Sequence, residues 1–223
     1  MVKRDKVFQT IGHIILFLVS LFCVLPLILL FSSSFSNETA ILHEGYHILP
    51  RQFDLTAYKY IVNGSSGILR SYGISALVTI AGTLGNLVLT ILYAYPISRK
   101  DLRGQAFFPF FLFFTILFNG GLIPTYMMWT NTFHIKNSYL AYILPNLLVN
   151  GFYVIMARNY FASNIPVALL ESAKMDGAGE FRILRSIVLP MSKPILATLG
   201  LFVYLHYWND WQNGLYYISN DKM

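Results

Sequence analysis

Apolar residues run along this chain in stretches longer than a water-soluble helix needs. Five of them reach the roughly 20 residues required to cross a bilayer core of about 30 Å as a helix. They extend from about Val7 to Phe31, Tyr72 to Ile97, Ala106 to Trp129, Ser138 to Tyr160 and Pro194 to Ile218. Two polar segments between them differ in character. Residues 32–71 are rich in Gly, Ser and polar side chains and read as a surface loop with a short helix near Leu55–Val62. Residues 162–193 carry two short helical periods. Pro166 suits a first turn, and Val167–Met175 follows as a helix with Leu170, Ala173 and Lys174 near one another. Gly177 and Gly179 interrupt it, since glycine takes positive φ and ends helices. Glu180–Val188 then predicts a second helix with Phe181, Leu184, Ile187 and Val188 on one face. The expected fold is all-α: one polytopic membrane domain over residues 1–223 with five transmembrane helices.

Composition agrees with that pattern. The chain is 56% hydrophobic and 12% charged, with a mean hydropathy of +0.55. A soluble domain carries about a quarter charged residues. The net charge of +6 does not point to nucleic acid, because the basic residues are scattered between apolar stretches. Their distribution sets an orientation instead. Lys3, Arg4 and Lys6, then Arg99, Lys100 and Arg103, then Arg158, Lys174, Arg182, Arg185 and Lys193 fall on one side, eleven in all. Arg51, Lys59, Arg70, Lys136 and Lys222 fall on the other, five in all. The N-terminus and the 162–193 loop are expected in the cytoplasm, the 32–71 loop outside, and after five spans the C-terminus outside. The first stretch is too long for a signal peptide, and no A-x-A-like cleavage site follows it. The lone Cys23 has no partner for a disulfide.

The 162–193 loop carries a signature. Glu171-Ser172-Ala173, three residues, Gly177, nine residues, Ile187, one residue and Leu189-Pro190 match the "EAA" pattern of ABC-importer permeases. Ser172 stands where alanine is usual, a change between small residues. The chain resembles the maltose-type carbohydrate permeases, the inner-membrane components of binding-protein-dependent systems. Asn119-Gly-Gly-Leu-Ile-Pro-Thr-Tyr126 and Tyr207-Trp-Asn-Asp-Trp211 fit the branch for oligosaccharides or uronic sugars. The resemblance implies that Val167–Met175 is a coupling helix seated in a cleft of a separate ATPase subunit. Glu171 would bond that ATPase, Ala173 beside Ser172 would allow close approach, and Gly177, after Asp176, would supply the turn. It also implies a second permease subunit, an extracellular substrate-binding protein, and a bacterial inner-membrane location. Such permeases usually have six spans, so either the chain is shorter than its family or a span is missed. The competing reading of the loop, an amphipathic helix on the inner leaflet, would want more basic residues. The implied function is ATP-driven import of a sugar or oligosaccharide by alternating access. A non-sugar solute is the alternative, since importers of many substrates share the signature.

Candidate substrate contacts lie in two places. Asn119, Gly120, Gly121 and Pro124 break the third stretch, as the lining of a translocation path does; a packing kink is the other reading. Tyr204, Trp208, Asn209 and Asp210 lie in the fifth, Asp210 being 16 residues past Pro194, about 24 Å along a continuous helix. There Tyr204, Trp208, Trp211 and Leu215 would share a face suited to a sugar or to an interfacial aromatic belt. His13 and His206 read as helix contacts.

Other chemistries find less support. His43-Glu44-Gly45-Tyr46-His47 fits H-E-x-x-H, the pattern of a membrane zinc protease. Gly45 inside it and Pro50 beyond argue against the helix that this chemistry needs. A secondary transporter would show internal repeats and mid-membrane charges, and only Asp210 is an acid well inside a stretch. No G-x-x-x-x-G-K-[ST] segment occurs, so any ATP would be hydrolysed by another chain. No catalytic residue, metal or cofactor is expected.

Overall fold

The computed structural model describes residues 6–64, 66–102, 104, 106–145 and 148–219. Lys3, Arg4, Arg103 and Lys222 of the charge pattern lie outside them. The described residues are organised by helices, with one isolated antiparallel bridge, Ser36–Phe53. They divide into two compact units, Met1–Ser71 and Tyr72–Met223.

The first unit is dominated by α1 (Lys6–Ser34). Its apolar side chains from Phe8 to Phe31 are largely exposed along the whole helix. Only a non-aqueous surrounding suits such a surface, and a helix satisfies its own backbone there. After it come α2 (Glu38–Glu44) and α3 (Thr56–Gly64). The expected helix near Leu55–Val62 is therefore present as α3. Phe35 stacks on Phe53 at 5.6 Å and on Tyr58 at 5.3 Å, and Asn37 Nδ2 donates to Asp54 Oδ2 at 2.9 Å. These contacts make residues 35–58 an ordered connection rather than a plain loop.

The second unit is entered through α4 (Ser66–Ser98). It continues through α5 (Phe107–Leu117), α6 (Leu122–Met127), α7 (Leu140–Ile143) and α8 (Gly151–Asn164). Then follow α9 (Val167–Met175), α10 (Glu180–Ile183), α11 (Leu189–Met191), α12 (Lys193–Trp208) and α13 (Gln212–Tyr217). One π-helical turn extends α6 over Met128–Thr132, and another joins α10 to α11 over Leu184–Val188. The main core gathers fully buried Ala94, Val154, Ala157, Ile183, Val188 and Leu199 from α4, α8, the α10–α11 segment and α12.

Four of the five expected spans correspond to long or bent helices. The first and second are α1 and α4. The third is a pair, Phe107–Leu117 and Leu122–Thr132, bent by 109°. The fifth begins as α12, which meets Glu180–Met191 at 83°. The fourth is not one helix from Ser138 to Tyr160. Pro145 has no N–H to donate and disfavours helix before it, and the chain resumes only at α8. Asn150 caps α8, its side chain accepting from Phe152 N–H at 2.9 Å. Buried Asn213 Nδ2 donates to the freed Pro145 carbonyl at 3.1 Å.

The expected fifth helix to Ile218 also stops early, at Trp208. Asn209 and Asp210 turn their side chains onto the backbone, Asn209 Nδ2 donating to Leu205 O at 2.8 Å and Asp210 Oδ1 accepting from Asn213 N–H at 3.3 Å. Such local bonds compete with helix. Phe181 corrects the expected face of the second loop helix: it is exposed, whereas Leu184 and Val188 are buried with Ile183.

One contact fixes how closely α12 approaches α4. Tyr207 lies so near Gly82 that a Cβ there would sit 2.4 Å from a ring carbon, and Tyr207 O–H also donates to Ile143 O at 3.1 Å. Overpacking of this kind costs about 1–3 kcal/mol. Gly82→Ala is expected to lower the melting temperature of the detergent-solubilised protein. Gly73→Ala, with nothing within 4 Å of its Cβ, does not lower it, since alanine is the better helix former.

Candidate coupling site

The signature residues occupy a small, well-defined structure. Pro166 sits at the N-cap of α9 with extended backbone, leaving Val167–Met175 as the expected helix. Its end is a Schellman closure. Gly177 takes φ +76°, its N–H bonds Lys174 O at 3.0 Å, and Ala178 N–H bonds Ala173 O at 2.9 Å. Gly179 then becomes the N-cap of α10. Only Gly177 of the two adopts the left-handed conformation that side chains resist.

The helix has two faces. Leu170 is buried in the core, with Ala173 and Ala178 packed against it. Glu171, Ser172, Met175 and Asp176 are exposed, Met175 at 88%. Ser172 Oγ donates back to Leu169 O at 3.0 Å. The result is a short, closed helix whose acidic and thioether side chains project from a surface anchored by small apolar residues.

Beside it lies a charged cluster that sequence spacing did not reveal. Arg99, just past α4, grips Asp101 with two bonds: Nε to Oδ1 at 3.2 Å and Nη2 to Oδ2 at 3.1 Å. Lys174 Nζ on α9 donates to Asp101 Oδ2 at 2.9 Å and pairs with Glu180 Oε1 at 2.8 Å. Tyr95 O–H donates to Glu180 Oε2 at 2.6 Å. The Arg99 and Lys174 cations that bond Asp101 hold its carboxyl well below the usual carboxylate range. Glu180 and Asp101 in turn raise the Lys174 ammonium. A depressed acid loses its stabilising charge only as pH falls through its folded value, and a raised base only as pH rises through its own. The Asp101–Lys174 pair is therefore fully charged across the neutral range. The signal available in sequence was the run Arg99–Lys100–Asp101 after a span; nothing in it specified a partner 73 residues on.

The candidate substrate residues are resolved into two local features. Asn119, Gly120 and Gly121 form the 109° bend: Gly121 has φ +81°, Asn119 Oδ1 accepts from Gly121 N–H at 2.8 Å, and Thr125 Oγ1 donates to Gly121 O at 2.7 Å. Tyr204 and Trp208 stack on α12, centroids 6.0 Å apart and planes 8° from parallel. Asn209 and Asp210 lie in the turn that follows. No hydrogen bond or ring contact among the described residues joins the two features.

The H-E-x-x-H match does not form a zinc site. Helix α2 ends at Glu44, Gly45 takes φ +82°, and His47 lies beyond the helix. Glu44 Oε2 pairs with Arg51 Nη1 at 2.7 Å. Among the described residues no group of three His, Cys, Asp or Glu is placed to hold a metal.

Bent pairs of apolar helices and a signature helix closed at Gly177 fit a transport permease subunit rather than an enzyme, and the comparisons with known proteins agree. The chain belongs to the inner-membrane permease components of binding-protein-dependent transport systems. The model for the binding-protein-dependent transport system inner membrane component matches residues 104–212. The chain is 36% identical to the polygalacturonan/rhamnogalacturonan transport system permease protein YtcP of Bacillus subtilis, over 97% of this chain and 74% of YtcP. It is 27% identical to the sn-glycerol-3-phosphate transport system permease protein UgpE of Brucella abortus, over 100% of this chain and 81% of UgpE. Among solved structures, it is similar to a bacterial ABC transporter involved in the import of the acidic polysaccharide alginate. The TM-score is 0.89 at 29% identity, covering 100% of this chain and 78% of that one.

The Schellman turn generates a prediction. A side chain in left-handed backbone costs roughly 1–2 kcal/mol. Gly177→Ala is expected to open the loop, seen as faster tryptic cleavage at Lys174 and Arg182. Gly179→Ala, at φ −69°, keeps the wild-type cleavage rate.

Proposed function

We propose that this subunit imports a sugar or oligosaccharide, with α9 docking on a separate ATPase. The observation that carries the docking is the exposure of Glu171, Ser172, Met175 and Asp176 on a helix closed at Gly177 and anchored at Leu170 and Ala173. A compact plug with few degrees of freedom transmits force between subunits better than a flexible loop. In this reading the N-terminus and residues 162–193 face the cytoplasm, following the positive-inside bias. A second permease subunit completes the path, and an external binding protein delivers the substrate. The exposed helix α1 supplies apolar surface for lipid or for that second subunit.

The saccharide class rests on the relatives named for polygalacturonan, rhamnogalacturonan and alginate, together with the stacked Tyr204–Trp208 pair, whose flat faces suit sugar rings. The UgpE likeness supports a phosphorylated small solute as the second reading, at lower identity.

Glu171→Lys and Gly177→Val are expected to abolish uptake in cells while membrane insertion, read by immunoblot of the membrane fraction, persists. Normal uptake in both variants would reject the docking role. Cysteines introduced at residues 165–185 should react with an impermeant maleimide only after the membrane is opened; reaction in intact cells would reverse the orientation. For the substrate, uptake of labelled oligogalacturonide against labelled glycerol phosphate separates the two readings. Tyr204→Ala with Trp208→Ala is expected to reduce uptake of the transported solute at least tenfold.

A further inference from the structure

Docking of α9 leaves unexplained why so many charges meet on its inner flank. Gly177 and Gly179 lie between α9 and α10, so a push on α9 alone would be taken up as rotation at this joint. The charged cluster spans it. Lys174 lies before the joint and Glu180 after it, their charged atoms 2.8 Å apart. Lys174 also reaches Asp101 at 2.9 Å, in the turn that follows α4. Arg99 reinforces Asp101 through a two-bond fork, the geometry in which guanidinium is most directional. Arg99 Nη1 also donates to Tyr95 O–H at 3.2 Å and lies 3.6 Å from Glu180. Tyr95 is buried and belongs to α4 itself. Two cations, two carboxylates and a phenol thus close a ring through α4, α9 and α10.

We propose that Lys174 and Asp101 are positioning residues whose ion pair, braced by Arg99, Glu180 and Tyr95, clamps α9 to the end of α4. Displacement of α9 then carries α4 with it instead of flexing Gly177. The inference rests on the reading of α9 as the docking element and adds the route by which its movement enters the membrane. The side chains of Asp101 and Glu180 are more than half exposed, so solvent screening limits what the pairs add to folding. The clamp can therefore be removed while the chain still folds.

The test uses the assembled transporter in lipid vesicles, in a Cys23→Ser background, with spin labels at Val167→Cys, at the start of α9 and outside its docking residues, and at Lys100→Cys. With the clamp intact, the distance between labels is expected to be the same in the nucleotide-free and ATP-bound states. Lys174→Met is expected to split it into two values, one per state, and Asp101→Asn to do the same. Lys174→Arg, which keeps the charge, restores the single value. A loss of packing alone would lower the melting temperature without making the distance depend on nucleotide. A distance that already shifts with nucleotide in the parent overturns the clamp. So does one that stays fixed in both Lys174→Met and Asp101→Asn. The underlying docking fails separately, through reaction of residues 165–185 from outside intact cells.

Discussion

Inside a bilayer every peptide N–H and C=O must find a partner within the protein, and the rest of this structure follows from that constraint. Helices meet it along α1, α4 and α12. At four places where a helix stops or restarts, an asparagine side chain supplies a bond. Asn119 accepts the Gly121 N–H at the 109° bend, Asn150 caps α8, Asn213 takes the Pro145 carbonyl, and Asn209 folds back on Leu205. Four asparagines thus mark interruptions that pure hydropathy would not allow. Of the four, the Asn213–Pro145 bond is buried, and its removal would leave a carbonyl unpaired in an apolar setting.

These interruptions matter for transport because they divide the second unit into pieces that can be held in defined relation. The 83° bend before α12 and the short helices α9 and α10 place the signature segment between α8 and α12 rather than at a free end. Its buried flank is apolar and small, its outer flank acidic. The same segment therefore belongs to the core through Leu170, Ile183 and Val188, and to the surface through Glu171 and Asp176.

The charged ring at Tyr95, Arg99, Asp101, Lys174 and Glu180 sits where the apolar core gives way to polar surface. Hydrophobic packing is non-directional and tolerates small slips between helices. Short ion pairs with fixed donors do not tolerate them as well. Geometry rather than stability is what such a cluster contributes, consistent with the exposure of its carboxylates.

Much was legible in the chain alone. Hydropathy gave the helical membrane class, and the offsets from Glu171 to Pro190 gave the family. Pro166 and Gly177 gave the bounds of α9 to the residue, because capping chemistry acts within a few positions. Other features depended on tertiary structure. The Ser138–Tyr160 stretch is apolar enough to read as one span, yet Pro145 finds its partner in Asn213, 68 residues away. The aromatic face expected through Leu215 ends at Trp208, since Asn209 and Asp210 bond locally in a way that periodicity does not encode. Lys174 met Asp101 only when α9 folded beside the end of α4. Local sequence determines what the backbone can do over one or two turns; which distant side chains meet is decided by packing, and the charged ring is a product of that second step.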